Sequence, residues 1–182
     1  MNYSKIYTCD ICDGPGIRVG FYTQGCTNKC PGCFNPESWD INGGRHWTAT
    51  VTDDVIKLLR KDYYSGLSIL GGDPFCAYHY LDDGKDSDQL LRLVLKFRNE
   101  FGGKKDIWMW TGYTWEEIME NQYGSRFSDR CRKILRYVDV LVDGRYEKGN
   151  TEGKHIYRGS NNQRVIDVQK SLYDGNITLF CK

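Results

Sequence analysis

Ile17-Arg18-Val19-Gly20-Phe21-Tyr22-Thr23, followed at once by Gln24-Gly25-Cys26, is the stretch from which the rest of the sequence is read. Its β-branched and aromatic content predicts a strand, and Gly25 predicts the turn that ends it. A cysteine-bearing loop therefore starts at a strand's C-terminal end. Downstream, Thr52 reads as an N-cap, with Asp53 and Asp54 in the first turn and Val55, Ile56, Leu58 and Leu59 as an apolar face reaching about Tyr64. Gly66 to Leu70 predicts a short strand stopped by Gly71-Gly72. Asp86 or Ser87 then opens a periodic helix through Leu90, Leu91, Leu93, Val94, Leu95 and Phe97. Asp106 to Thr111 follows as a strand, helical stretches begin near Thr114 and span Ser128 to Arg136, and Val138 to Val142 is a buried-type strand halted at Asp143-Gly144.

Strand and helix thus alternate, which predicts an α/β fold of parallel βαβ units with right-handed crossovers, as an open sheet or as part of a barrel. Ligands of such sheets bind beyond the C-terminal strand ends. Cys26 to Cys33, Gly71 to Asp73, Thr111-Gly112 and Asp143-Gly144 all fall there, so four separated segments are expected on one rim. Beyond Arg145 the chain turns polar, with short strands expected at Ile156-Tyr157 and Val165 to Val168 around a turn at Ser160-Asn161-Asn162.

The 182 residues suit one domain, 1–182, with a polar C-terminal extension from about 145 to 182. Lys and Arg total 25 against 24 Asp and Glu, a balance that lacks the electrostatic footprint of a nucleic-acid binder. No signal-peptide-like stretch follows Met1, and no apolar run approaches the ~20 residues of a membrane span, so a cytoplasmic protein with no membrane partner is expected. Eight cysteines in such a chain point to metal before disulfides.

The sharpest pattern is Cys26-Thr-Asn-Lys-Cys30-Pro-Gly-Cys33. Pro31-Gly32 rules out a helix, and a glycine-containing loop can wrap three thiolates around an iron–sulfur cubane while peptide N–H groups approach the sulfides. Three ligands leave one iron open for chemistry. The competing reading is a zinc site completed by Cys76, His46 or His79, although zinc sites more commonly pair two knuckles. Cys9 and Cys12 read first as free thiols and second as a redox or metal pair, Cys76, Cys131 and Cys181 as ordinary thiols, and His46, His79 and His155 as surface or packed histidines. The aromatics of Tyr78-His-Tyr80, Trp108-Met-Trp110 and Tyr113-Thr-Trp115 read first as core and rim, and second as a docking surface.

The cysteine loop, directly after the first long strand, resembles the Cys-x3-Cys-x2-Cys signature of the radical S-adenosylmethionine superfamily. Asp13-Gly14-Pro15-Gly16-Ile17-Arg18 is similar to the segment preceding that loop in activators of glycyl-radical proteins, and Gly71-Gly72-Asp73-Pro74 to the superfamily's Gly-Gly-Glu-Pro element, here with Asp for Glu. Val140-Leu-Val-Asp-Gly-Arg-Tyr146 and Arg158-Gly-Ser-Asn-Asn-Gln-Arg-Val-Ile-Asp167 resemble, in particular, activators of anaerobic (class III) ribonucleotide reductase. Between Phe34 and Phe75 there is no cysteine, unlike relatives with extra clusters, and the short chain favours this group over the longer pyruvate formate-lyase activators.

The resemblance implies a single-domain, partial (open) TIM-like β/α barrel with the cluster loop after its first strand. It implies a [4Fe-4S] cluster on Cys26, Cys30 and Cys33, and S-adenosyl-L-methionine held by Gly32, Cys33, Phe34, Gly71, Gly72 and Asp73, the last accepting from its ammonium. The backbone of Gly32 to Phe34 would meet the adenine, although Gly32 stands where many members carry an aromatic residue. Thr111, Tyr113 and Asp143 are candidates for other cofactor contacts. It further implies reductive cleavage to a 5′-deoxyadenosyl radical that abstracts hydrogen from a glycine of the reductase large subunit, with a reductant such as flavodoxin. Arg158 to Arg164 is either a plain turn or a contact to that partner.

Overall fold

The computed structural model describes residues 1–79, 88–153 and 156–180. Within them the chain runs β1 (Asn2–Asp10), β2 (Ile17–Thr23), β3 (Arg45–His46), α1 (Ala49–Leu59), β4 (Tyr64–Gly71), α2 (Gln89–Phe101), β5 (Asp106–Trp110), α3 (Trp115–Met119), α4 (Ser125–Leu135), β6 (Val140–Asp143), β7 (Arg164–Asp167) and α5 (Val168–Asp174). One seven-stranded sheet has the order β3-β1-β2-β4-β5-β6-β7. Its centre, β2-β4-β5-β6, is parallel. The flanking pairs β1–β2, β1–β3 and β6–β7 are antiparallel. The predicted alternation is therefore an α/β fold, and the sheet is open rather than closed into a barrel: after β6 the chain turns back through residues 144–163 and adds β7 antiparallel, which ends the βαβ repeat.

Period-2 alternation sorts the strands onto two faces. On one, Val19, Phe21, Leu67, Ile69, Ile107, Met109 and Leu141 pack with the apolar stripes of α1, α2 and α4 in the main core. The other face has Arg18, Ser68 and Trp108 fully buried, with Val140, Val142 and Val165 beside Trp108. Arg18 donates to Ser68 Oγ at 2.7 Å and to the carbonyls of Leu67 at 3.0 Å and Pro15 at 3.2 Å, so one side chain joins β2 to β4 and to the turn before β2.

Local signals explain the helix starts. α1 begins four residues earlier than the Thr52 reading, because Thr48 is the cap, accepting from the Val51 N–H at 3.4 Å. Thr52 is instead wholly buried and takes the Trp47 indole N–H at 3.0 Å. α2 is capped by Asp88. Asp86 and Ser87 lie outside the described residues, as do Tyr80, His155 and Cys181. α3 has the reciprocal capping box of Thr114 and Glu117. Ile156-Tyr157 forms bends, not a strand, while β1, β3 and α5 went unpredicted. Among the described residues, no helix is long and apolar enough to cross a membrane.

Candidate active site

At the C-terminal ends of β2, β4 and β5 lies a cavity of about 680 Å³, of the size that takes a small-molecule cofactor. Cys26, Cys30 and Cys33 all line it, together with Phe34, Gly71, Gly72, Asp73, Thr111, Gly112 and Gly144. The four segments expected on one rim do meet there.

The loop is fixed at its root by backbone. Gly25 N–H donates to Ser38 O at 2.8 Å and Cys26 N–H to Trp39 O at 3.1 Å, while Gly72 N–H donates to Thr23 O and Asp73 N–H to Gly25 O, each at 2.9 Å. This close approach explains the glycine pair. A Cβ on Gly71 (φ +115°) would strike the Thr23 backbone, and one on Gly72 would strike Gly25 and Ser38. Both glycines line the cavity, yet what they demonstrably admit is the backbone that leads into Cys26.

Asp73 is buried, and its carboxylate collects donors from three directions. Oδ1 accepts from Phe75 N–H at 3.0 Å and Thr111 Oγ1 at 3.0 Å, and Oδ2 from Gly112 N–H at 2.7 Å and Asn28 Nδ2 at 3.2 Å. Asp73 thereby ties the cysteine loop to the end of β5. Burial pushes its pKa up to about 6, against the pull of those donors.

The donor set suits an iron–sulfur cluster. Three thiols from one loop share a cavity, and each meets a peptide N–H: those of Asn28 and Lys29 face Cys26, that of Tyr146 faces Cys30, and that of Asn35 donates to Cys33 Sγ at 3.4 Å. Burial, reinforced by the Asp73 charge, pushes the Cys26 thiol up to about 12, and burial also raises Cys30. Such thiols keep their protons until a metal displaces them. The zinc alternative finds no support in the placement of its fourth ligand. Cys76 is buried with its thiol 3.9 Å from Thr27 Oγ1, His46 is exposed on β3, and His79 stacks on Phe127 and meets Tyr113 Oη at 2.7 Å; none of them lines the cavity.

Of the three strand-end candidates, two lie away from the cavity. Asp143 lies outside this cavity, buried against Arg164 and the Trp115 N–H, and Tyr113 is buried against His79. Thr111 does line the cavity, but its hydroxyl is directed at Asp73. Of the aromatic runs, Tyr78, Trp108, Tyr113 and Trp115 are buried packing, whereas Trp110 lines the cavity. Sequence reasoning missed Tyr22, Asn28, Tyr146 and Tyr157 as lining residues, and Cys12, an exposed free thiol beside Asp13 on the cavity wall. Tyr22 was discoverable, because the two-residue period puts it on the same face as Arg18.

A family model described as a 4Fe-4S single cluster domain matches residues 12–166. A protein of Enterobacteria phage T4 is 38% identical over 165 residues, covering 91% of this chain and 93% of its own length, and is named anaerobic ribonucleoside-triphosphate reductase-activating protein. Proteins of the same name from Escherichia coli K12 (35%) and Vibrio cholerae (34%) each align over 167 residues, 91% of this chain and 97% of theirs. The chain belongs to this family of reductase-activating proteins.

In this activating-protein fold the wall beside the cysteines comes from the C-terminal segment. β6 and β7 pair as far as Asp143 and Arg164. Beyond them side chains continue the ladder: Gln163 Nε2 donates to Gly144 O at 2.9 Å, Asn162 Nδ2 to Arg145 O at 2.7 Å, and Glu147 N–H to Ser160 Oγ at 3.1 Å. Gln163 Oε1 also gathers the N–H groups of Gly159 (2.8 Å) and Ser160 (3.1 Å). Arg164 grips Glu116 through both nitrogens, at 2.9 and 2.7 Å, and Asp143 at 2.5 and 3.0 Å. This partner holds the Glu116 carboxyl down at about 2. Arg158 to Arg164 is thus a folded turn consumed largely by its own chain.

Proposed function

We propose that this chain is the activating enzyme of an anaerobic ribonucleoside-triphosphate reductase, holding a [4Fe-4S] cluster on Cys26, Cys30 and Cys33 and using S-adenosyl-L-methionine to place a glycyl radical on the reductase large subunit. The observation that carries this reading is the sharing of one cavity by all three loop cysteines, with the Asn35 N–H donating to Cys33 Sγ at 3.4 Å. The family's printed names support the target. When bound, the cluster supplies the electron that cleaves the sulfonium.

The protein's own part is to bind and orient. Gly71, Gly72 and Asp73 would bound the methionine end of S-adenosylmethionine, with carbonyls and a negative carboxylate for its ammonium. The backbone of Gly32, Cys33 and Phe34 would meet the adenine. Asp73 acts also as a brace, since its oxygens already serve Asn28, Phe75, Thr111 and Gly112. We read the four parallel strands as an arc of a TIM-like barrel within one domain, 1–182, a reading supported by the placement of the cavity at their C-terminal ends. An open arc suits a protein substrate that must insert a backbone loop. The near-equal charge totals speak for a protein partner over nucleic acid, and the free cysteines suit the reducing cytoplasm, where a flavodoxin-like donor would supply electrons.

The test is anaerobic incubation of the reduced protein with S-adenosylmethionine and the reductase, read by electron paramagnetic resonance. A glycyl doublet with one deoxyadenosine released per radical is expected. Deoxyadenosine without a doublet would transfer the reading to another glycyl-radical protein such as pyruvate formate-lyase, and a colourless, zinc-loaded protein would replace it with a zinc module.

A further inference from the structure

The Arg158 to Arg164 motif contains more internal bonding than a surface turn needs, and three of its side chains, Ser160, Asn162 and Gln163, act on one neighbour, the backbone of residues 144–147. Three contacts show what that backbone meets. The Tyr146 ring lies 5.1 Å from that of Phe34, the Lys148 side chain covers Gly32 closely enough that a Cβ there would sit 3.0 Å from Lys148 Cδ, and Gly159 approaches Phe34 within 3.4 Å of where its own Cβ would be. Between these contacts Tyr146 lines the cavity together with Cys30 and Cys33, and its N–H is turned towards Cys30. Unlike the N–H groups at Cys26 and Cys33, which come from the cysteine loop itself, this donor arrives from the other end of the chain.

We propose that Gln163 and Asn162 are positioning residues that set the reduction potential of the cluster, by holding the Tyr146 N–H on Cys30 Sγ. The physical basis is that reduction adds negative charge to the cluster and its thiolates, so an N–H aimed at a ligand sulfur stabilises the reduced state more than the oxidised one. Gln163 holds Gly144 through its amide N–H and the 159–160 turn through its amide oxygen, a pairing that neither a carboxylate nor an alkyl side chain can make. Asn162 holds Arg145. Loosening either lets the 144–146 backbone drift from Cys30, and the reduced state loses its donor.

This inference rests on the three-cysteine cluster reading, and the experiment separates the two. Parent, Gln163→Leu, Gln163→Glu and Asn162→Ala proteins are reconstituted anaerobically, checked for iron and sulfide, and titrated between the oxidised and reduced forms by electron paramagnetic resonance and visible absorbance. Gln163→Leu and Gln163→Glu are each expected to hold four irons and to be about tenfold less reduced at a given solution potential, a shift of about 59 mV to more negative values for one electron. Asn162→Ala, which leaves Gln163 in place, should shift in the same direction by less. Thr52→Val, which removes the buried Trp47 bond in the helix-side core, lowers stability without touching this wall and should titrate with the parent. Cluster-loaded Gln163 and Asn162 variants with the parent's potential overturn the inference, as does an equal shift in Thr52→Val. Should Gln163→Leu fail to fold, Asn162→Ala decides alone. A parent protein that takes up no iron and sulfide overturns the cluster reading and this inference with it.

Discussion

Arg18 and Asp106 meet inside the sheet, guanidinium to carboxylate at 2.6 Å, with Arg18 wholly buried and Asp106 at the solvent edge of β5. Removing one partner of such a pair strands the other, at a cost of about 3–5 kcal/mol when both are buried. The partial exposure of Asp106 places Arg18→Met near about 3 kcal/mol. Arg18→Lys should recover only part of this, since an ammonium cannot reproduce the fork that also reaches Ser68 and Leu67. Urea unfolding of the parent and the two variants at neutral pH checks the order.

Cys26→Ala, Cys30→Ala and Cys33→Ala should each lose nearly all bound iron and sulfide after anaerobic reconstitution. Cys131→Ala, on the core-facing side of α4, should keep the parent's iron content and lose only about 1 kcal/mol of stability, the worth of one small buried apolar group. Equal iron content across the two sets would remove the basis for a three-cysteine site.

Asp73→Asn replaces an acceptor of at least four donors by a group that must itself donate. One N–H or O–H among Gly112, Phe75, Thr111 and Asn28 is then left facing another donor, at about 1–3 kcal/mol. Because Asn28 belongs to the cysteine loop, affinity for S-adenosylmethionine should fall along with the melting temperature. Equilibrium dialysis and calorimetry measure the two; unchanged affinity would reduce Asp73 to a core carboxylate.

The Asp13 carboxyl is raised from 3.8 to about 7, by burial first and by the charge of Asp10 second, while the Tyr22 hydroxyl donates to it at 3.1 Å. Between those two values the folded chain keeps a proton that the unfolded chain has released, so this group makes stability fall as pH rises from about 4 to about 7. Asp13→Asn cannot ionise and should gain on the parent steadily across that window. Thermal melts in half-unit steps, plotted as variant minus parent, should slope upward; a flat difference would place the Asp13 titration elsewhere.

Gly72→Ala must push a methyl group into the Gly25 and Ser38 backbone. The expected outcome is a loss of several kcal/mol or a displaced cysteine loop, seen as lowered melting temperature together with weakened cluster retention.

The legible parts of this chain were those where a local signal and the tertiary outcome agree. β2 was read to the residue, because Ile17 to Thr23 is rich in strand formers and ends at a glycine turn. The cysteine spacing and Gly71-Gly72 converged because both follow parallel strands. β1 was illegible, as its polar, lysine-bearing residues suit an outer strand whose pairing comes from β2 rather than from its own pattern. The open edge was hidden for a related reason: nothing in Val165 to Asp167 says that the strand runs antiparallel to β6. Asp143 looked like a site residue by its strand-end position, and only Arg164, 21 residues later, shows where its charge is spent.

The wall at Tyr146 has a consequence for the order in which the protein is made. The three thiols leave the ribosome more than a hundred residues before Tyr146 and before the Asn162 and Gln163 that fasten it. Through that interval the nascent chain carries the three sulfurs without their far-side cover, so metal delivery is best timed after residue 163 has emerged, and oxidation is the hazard of a product stalled before it.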